Sequence, residues 1–244
     1  MRLVLTITSQ QNIRLPLAHH HILQSFIYSL LSHNKEFSQR IHDKDSNRDR
    51  PNFKFFSFSQ LYGKYQIINK EIIFTPPIYL EISTIDSDLC QNLLTGVLLF
   101  KEAKLGMHKV FINHYRVLKE QLAQSSYHIQ MISPITVHST QNKHTKFFNP
   151  LETDFEEALN SNFRRKYKAF YNKHIEDTFT IKPLDFSLKN KIVTIYKNYY
   201  ITAWKGKYEL TGDPYILNFL YKVGLGEKNS MGFGLFKIIS KKGK

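Results

Sequence analysis

The order of hydrophobic and polar positions divides the 244 residues into two halves of similar organisation. Alternating apolar positions in residues 2–8 predict a strand at the start of the chain. Beyond Pro16, apolar residues recur three and four positions apart up to Leu31, which predicts an amphipathic helix. Residues 35–52 are polar and bounded by proline, which indicates a loop. The polar face of the predicted helix carries His21, Tyr28 and Ser32.

The remaining pattern predicts further strands and helices in both halves. In the first half there are strands over 53–62, 67–74, 78–85 and 109–118, and a helix over 87–102. In the second half there are strands over 127–138 and 233–239, a strand-rich segment over 177–208, and helices over 153–171 and 214–223. Pro76 and Pro77 separate two of the strands. Pro134 indicates an edge position or a bulge.

Each half therefore follows the order strand, helix, strands, helix, strand, which is the β-α-β-β-α-β order of a ferredoxin-like unit. The predicted fold class is α+β, with two tandem ferredoxin-like (RRM-like) domains and a C-terminal glycine-rich loop. The polar segment KEQLAQSS at 119–126 is the best boundary and gives domains over residues 1–122 and 123–244.

Composition adds a bias toward an anionic partner. The chain has 34 Lys and Arg against 20 Asp and Glu, a formal net charge of +14 with histidine neutral. A basic folded chain favours nucleic acid, although an A/T-rich genome also raises lysine use. The single cysteine, Cys90, excludes an internal disulfide framework and fits a reducing cytoplasm. The apolar runs are too short for a secretory signal or a membrane span.

Four of the ten glycines lie between residues 224 and 234, in the sequence GLGEKNSMGFG. Glycine allows successive N–H groups to turn toward one phosphate, and three side chains would add donors. These side chains are Lys228, Asn229 and Ser230. The alternative is a tight turn between a helix and a strand. The spacing matches neither a Walker A loop nor a dinucleotide-binding fingerprint. The glycines concerned are Gly224, Gly226, Gly232 and Gly234.

This glycine-rich sequence resembles the C-terminal signature of the CRISPR repeat-processing endoribonucleases, the Cas6 family within the RAMP superfamily. The segments HHILQSFIYSLL, EFSQRIHD and NFKFFSFSQLYG resemble that family's first helix, histidine-bearing segment and following strand. The resemblance implies tandem ferredoxin-like domains and cleavage of precursor CRISPR RNA within its repeats, without a metal ion or other cofactor. Repeat RNA is the implied partner; a homodimer and contact with other effector-complex subunits stay open.

The resemblance also implies the catalytic residues. In metal-free cleavage the ribose 2′-OH attacks the phosphate and leaves a 2′,3′-cyclic phosphate, so the protein moves protons and stabilises charge. His42 matches the family's catalytic histidine, Tyr28 an assisting tyrosine and Lys54 the active-site lysine. Lys44 is the rival lysine, and His21 is a second histidine candidate on the face of Tyr28.

Each of these assignments has a simpler alternative. A histidine in a polar loop is commonly just solvated, and Tyr28 could be an ordinary helix tyrosine. The run His19, His20 and His21 is interpreted as surface. The pattern His42-x-Lys44-x4-Asp49 also fits the phospholipase D motif, but the small-residue turn that follows that motif is missing, which favours chance.

A basic helix face in the second half completes the candidate RNA surface. Arg164, Arg165 and Lys168 lie within two helical turns and would bind phosphates, or else form a solvated face. The alternative to an enzyme is a RAMP subunit that holds RNA without cutting it. A metal-dependent nuclease lacks support, because no Asp, Glu and His set with ligand spacing is found.

Overall fold

The computed structural model describes residues 1–42, 53–142, 144–196 and 199–241. In the first half, helices and strands alternate along the chain. They are β1 (Arg2–Thr8), β2 (Ile13–Pro16), α1 (His20–Leu30), α2 (Lys35–His42), β3 (Phe56–Phe58), β4 (Tyr62–Ile68), β5 (Glu71–Thr84), α3 (Ser87–Leu99), β6 (Glu102–Leu105) and β7 (His108–Leu118).

The first sheet has the strand order β2-β5-β1-β7-β6, with β3 and β4 also pairing with β5. Strand β1 lies at its centre, antiparallel to both β5 and β7. Alternation in β1 buries Leu3, Leu5 and Ile7 on one face, and α1 and α3 cover that face. The two helices approach so closely that a Cβ on Gly96 would lie 1.8 Å from the Leu30 carbonyl oxygen.

The second half repeats this arrangement. Its elements are β8 (Ser126–Met131), β9 (His138–Gln141), β10 (His144–Phe147), α4 (Thr153–Tyr171), β11 (Thr180–Pro183), β12 (Lys191–Tyr196), β13 (Tyr199–Trp204), β14 (Lys207–Thr211), α5 (Pro214–Val223) and β15 (Phe236–Lys241). The main sheet has the order β11-β14-β8-β15, so its first strand again pairs with its third and last. Strands β9 and β10, and β12 and β13, form two separate antiparallel pairs.

Both halves therefore have the predicted ferredoxin-like arrangement, and helix α4 has the predicted bounds. The apolar stripe of α4, which includes Phe155, Leu159 and Phe163, is buried against the second sheet and α5. The halves also contact each other. The buried Arg2 guanidinium donates to Glu81 Oε1 at 2.7 Å and to the Tyr221 carbonyl at 3.0 Å, which links β1 to α5.

The predicted break at Pro76-Pro77 is wrong, since β5 continues through both prolines. The ladder with β4 pairs Gly63 with Ile78 and Lys64 with Thr75, so the register shift leaves both prolines outside the ladder. Proline cannot donate to a ladder, and this bulge removes that requirement.

The predicted loop over 35–52 is wrong in its first part, which forms α2. The Asn34 side chain accepts the backbone N–H of Phe37 at 3.0 Å and so caps this helix. Phe37 and Ile41, four residues apart, then pack on the first core. Two predicted strands are also shorter: that over 53–62 is limited to Phe56–Phe58, and that over 127–138 ends at Met131.

None of the helices that the structure describes is both long and apolar enough to cross a membrane.

Candidate active site

Helix α1 contacts the second half of the chain through Gln24, and Tyr28 lies one turn further along. Tyr28 and Lys54 come together: Lys54 Nζ donates to the Tyr28 hydroxyl at 3.1 Å and lies 5.3 Å from the centre of its ring. One turn before Tyr28, the Gln24 side chain donates to the carbonyl of Ser230 at 2.6 Å. The Tyr196 hydroxyl donates to Gln24 in turn. Two of the three predicted catalytic residues, Tyr28 and Lys54, are thus neighbours. Gln24 joins α1, which carries Tyr28, to the glycine-rich segment.

Burial, followed by the nearby Tyr196, raises the pKa of Tyr28 to about 12. The phenol is therefore protonated at neutral pH and can donate or accept a hydrogen bond, but it cannot serve as an anionic base. The cation beside it is Lys54, whose ammonium group suits the stabilisation of a developing phosphorane.

The predicted catalytic histidine is the last residue of α2. The side chain of His42 lies outside the described residues. So do Lys44, the alternative active-site lysine, and Asp49 of the phospholipase D pattern. The roles of these residues stay predictions.

The interpretation of the histidine run as surface is wrong for two of its members. His19 and His20 are buried, and only His21 is exposed. His20 lies three and seven positions before Leu23 and Ile27, so it continues the buried stripe of α1. Its ring packs 4.9 Å from that of Phe233, and burial, with a smaller effect of His19, lowers the pKa of His20 to about 4. His20 is therefore a neutral packing residue.

The glycine loop, residues 224–234, connects α5 to β15 and is packed into the protein. All four predicted glycines are buried and have positive φ, between +65° and +89°. A Cβ on Gly226 would lie 2.4 Å from the Thr136 carbonyl oxygen, and one on Gly232 would lie 2.6 Å from the Phe58 ring. These glycines allow close packing as well as the turn itself.

Part of the glycine loop, which is predicted to turn its N–H groups toward one phosphate, already uses these groups inside the protein. Within it, several N–H groups donate to backbone carbonyls of the protein, which satisfies them internally. The donors are Leu225, Glu227, Met231, Gly232 and Gly234. The tight-turn interpretation therefore accounts for most of the loop.

The Asn229 side chain, predicted as an RNA donor, is also occupied within the loop. Its Nδ2 donates to the carbonyls of Leu225 and Phe233, both at 3.0 Å, and its Oδ1 accepts from Lys166 Nζ at 2.6 Å. Asn229 is buried, and its polar atoms brace the two ends of the loop instead of facing a ligand.

Lys166 on α4 is a functional candidate that the motifs do not identify. It is buried, and its Nζ also donates to the carbonyls of Gly224 at 3.1 Å and Gly226 at 2.5 Å. A sequence signal exists, because Lys166 follows Phe163 by three positions and Leu159 by seven, on the apolar stripe. A lysine at such a position indicates a charge that is held inside the protein.

A cavity of about 170 Å³ lies where the two halves meet, beside the predicted active site. Lys54 lines it from the first half, with Phe53 and Phe55. Lys166, Lys228 and Ser230 line it from the second half. The cavity thus combines several cations with aromatic rings, a composition that suits a phosphate with an attached base.

A larger open cleft of about 950 Å³ lies elsewhere between the halves, next to Arg2 and Tyr221. Two of its polar groups are already engaged: Arg2 binds Glu81, and the Tyr221 hydroxyl donates to Glu120. Among the described residues that line it, no predicted site residue occurs. We therefore place the candidate active site at the smaller cavity.

The three predicted basic residues on α4 differ in their surroundings. Arg165 is exposed but lies 3.4 Å from Glu227, which also pairs with His138. Burial raises the pKa of Glu227, but the hydrogen bond and charge of His138 and the charges of Lys228 and Arg165 outweigh it, so the pKa is lowered. Arg164 makes a long 3.4 Å contact with the Glu176 carbonyl, and Lys168 is exposed.

Groups of three or more His, Cys, Asp or Glu side chains able to hold a metal ion are not found in the part of the chain that the structure describes.

Comparison with known proteins decides the family. The family model described as CRISPR-associated protein Cas6, N-terminal, matches residues 14–116, and that described as CRISPR associated protein Cas6, C-terminal, matches residues 118–238. The chain belongs to the Cas6 family. The resemblance of the glycine-rich sequence and the first helix is thereby confirmed.

Relatives of this Cas6 family member extend over nearly the whole chain. A Methanocaldococcus jannaschii protein named CRISPR-associated endoribonuclease Cas6 1 is 29% identical over 242 residues, covering 96% of this chain and 91% of the relative. A Pyrococcus furiosus protein named CRISPR-associated endoribonuclease Cas6 is 25% identical and covers 92% of this chain and 84% of its own length.

Solved structures confirm the fold. A structure described as CRISPR associated protein Cas6 superimposes with a TM-score of 0.80 at 27% identity, over 98% of this chain and 99% of that chain. A structure described as a Cas6 product complex has a TM-score of 0.69 at 14% identity, over 98% of this chain and 99% of that chain. This likeness supports the shared fold and nothing further.

Proposed function

We propose that this protein is an endoribonuclease that binds the repeats of precursor CRISPR RNA and cleaves within them to release guide RNAs. Cleavage proceeds without a metal ion, by attack of a ribose 2′-OH, and leaves a 2′,3′-cyclic phosphate. The observation that carries the proposal is the contact between Tyr28 and Lys54 beside the basic cavity, in a chain of the Cas6 family.

The residues divide the chemistry between them. Lys54 supplies positive charge to the pentavalent phosphorane. Tyr28, kept neutral by burial, donates a hydrogen bond to a phosphate oxygen or orients Lys54. His42 transfers the proton between the 2′-OH and the 5′-oxygen leaving group, a role that suits a histidine near neutral pH.

The RNA backbone crosses from this cavity onto the second half of the protein. Lys228 and Ser230 of the glycine loop line the same cavity as Lys54 and bind phosphate there. Arg164, Arg165 and Lys168 extend the basic surface along α4, with part of the Arg165 charge offset by Glu227. Cytoplasmic location, the domain limits, a homodimer and contact with effector subunits stay predictions from the sequence.

The decisive experiment is incubation of the protein with the repeat RNA of its own CRISPR array in excess EDTA. We expect one specific cut and a 2′,3′-cyclic phosphate on the upstream product. The same RNA with deoxyribose at the nucleotide 5′ of the cut should bind but stay intact, because the nucleophile is gone.

A strict requirement for Mg²⁺, or cleavage of the deoxyribose substrate, would contradict the mechanism. Tight binding without cleavage under all conditions would instead identify a non-cleaving RAMP subunit.

A further inference from the structure

We propose that Lys166 is a positioning residue for RNA binding, whose buried ammonium group fixes the glycine loop so that Lys228 and Ser230 face the active-site cavity. This inference rests on the proposed function, in which those two residues bind the RNA backbone. Lys166 itself stays inside the protein, with an exposed fraction of 3%.

The hydrogen bonds around Lys166 are all satisfied only when its side chain is charged. Three oxygen atoms surround Nζ: the carbonyls of Gly224 and Gly226 and the side-chain oxygen of Asn229, at 3.1, 2.5 and 2.6 Å. An ammonium group has three N–H donors, whereas a neutral amine has two. A neutral side chain of similar size would leave all three oxygens without this partner, which is costly for buried acceptors.

Asn229 extends the influence of Lys166 across the loop. While its Oδ1 accepts from Lys166, its Nδ2 bridges the carbonyls of Leu225 and Phe233. One ammonium group therefore joins the start of the loop to its end, through an amide held in one orientation. Lys228 and Ser230 flank Asn229 in the chain and line the cavity beside Lys54, so their placement depends on this connection.

Two charged neighbours, Glu227 and Arg165, affect the protonation of Lys166, and further titratable groups lie around it. Burial lowers its pKa to about 7; Glu227 of the loop opposes this effect, and Arg165 on α4 adds to it. Lys54 and Lys228 line the same cavity, and His138 on β9 pairs with Glu227. Because the pKa is lowered, the ammonium form is present below it and is lost as the pH rises. Deprotonation then leaves one of the three oxygens without a donor.

Double-mutant cycles on RNA affinity test the inference. The probe is the repeat RNA with deoxyribose 5′ of the cut, which prevents cleavage during the measurement. Lys166→Met should weaken binding by about 10- to 100-fold, the effect of losing hydrogen bonds to a charged group. Lys228→Met should add little to Lys166→Met, because the loop that presents Lys228 has already moved.

Lys168→Met is the matched control, since it removes the same charge from the same helix at an exposed position. The fold-loss of RNA affinity in the double variant should equal the product of the losses from Lys168→Met and Lys166→Met within about twofold, as expected for independent sites. If the losses from Lys166→Met and Lys228→Met also multiply, or if Lys166→Met binds normally, the positioning role is overturned.

A second measurement avoids any Lys166 variant and covers the case in which Lys166→Met does not fold. RNA affinity of the unmodified protein should fall between pH 6 and pH 9 by more than that of Lys228→Met, in which the presented cation is missing. Parallel pH dependences would overturn the inference. An unmodified protein that does not bind repeat RNA at all would instead overturn the proposed function, and the inference with it.

Discussion

The polar face of α1 and the glycine loop are connected by the hydrogen bond from Gln24 to Ser230, but they use their polar groups differently. On α1, Tyr28 is half-buried, and its hydroxyl accepts a hydrogen bond from Lys54, which itself lines the cavity. In the loop, the Asn229 side chain and several backbone N–H groups donate to carbonyls of the protein itself, many of them within the loop. The segment with the more conspicuous sequence motif is therefore mainly a scaffold, whereas we propose that the plainer helix face contributes to the chemistry.

This contrast has a physical origin. A helix satisfies its own backbone, so side chains on its exposed face are available for a ligand. An irregular loop that is buried must satisfy its N–H and carbonyl groups with other partners, which uses the donors that a phosphate would need. Glycine content thus indicates close packing here, and Lys228 and Ser230, which line the cavity, are the loop residues proposed to contact RNA.

The largest expected effect is at His42, the last residue of α2, the helix that follows α1. His42→Ala should slow single-turnover cleavage by about 10²–10⁴-fold, the range for loss of general acid–base assistance. RNA affinity should hardly change, because a neutral imidazole adds little to phosphate binding. His21→Ala is the control at an exposed position of α1; a larger rate loss in His21→Ala would move the active site to the helix face.

On the loop side, Gly226→Ala should destabilise the fold rather than act on RNA alone. The new Cβ would meet the Thr136 carbonyl oxygen at 2.4 Å, at a φ of +65°. Overpacking and backbone strain together should lower the free energy of unfolding by about 3 kcal/mol. Gly106→Ala is matched in backbone, with a φ of +62°, but its Cβ has 3.5 Å to its neighbours.

Denaturant titration of the two glycine variants separates the cost of overpacking from the cost of backbone strain. Gly106→Ala should show only the strain of a positive φ, about 1 kcal/mol. Equal destabilisation of the two variants would mean that close packing is not what the glycine loop requires. If Gly226→Ala lost RNA affinity but kept its full stability, the result would favour the glycine loop as a phosphate-binding cradle.

Tyr28→Phe should give a smaller loss, about tenfold in the cleavage rate, because one hydrogen bond near the phosphate disappears. The pH–rate profiles of Tyr28→Phe and the unmodified protein should have the same shape from pH 6 to 10. The raised pKa of Tyr28, about 12, keeps the phenol neutral across this range.

Lys54→Ala provides the second half of this test, since it removes the cation that contacts Tyr28. It should lower both the rate and RNA affinity. A greater rate loss in Lys44→Ala than in Lys54→Ala would assign the active-site lysine to Lys44. For Tyr28, a basic limb of the pH–rate profile that is present in the unmodified protein and absent only in Tyr28→Phe would show that the phenol ionises during the reaction.

The smallest effect concerns the face of α4. Replacing Arg164 and Arg165 together with alanine should flatten the plot of log K against log salt by roughly 1.4–1.8 if both bind phosphates. Because Arg165 pairs with Glu227, Arg164→Ala alone should account for the larger share. A slope identical to that of the unmodified protein would return this face to a solvated surface.

Local sequence pattern was sufficient for much of the fold. The bounds of α4 and α5 follow from the spacing of their apolar residues, and β1 follows from alternation. These features depend on neighbours within a few residues, which a single sequence displays. The family resemblance added Tyr28 and Lys54, 26 positions apart, whose contact the fold then provides.

Other features exist only because distant segments meet. His20 is buried because Phe233 covers it, and β5 continues through two prolines because its partner shifts register there. Lys166 reaches carbonyls 58 and 60 positions along the chain, so its role depends on how α4 packs against the glycine loop. Sequence by itself determined most of the longer helices, several strands and which residue types are available. Tertiary structure decided which polar groups satisfy the protein itself and which are left to bind RNA, because burial and hydrogen-bond partners are set by contacts across the fold.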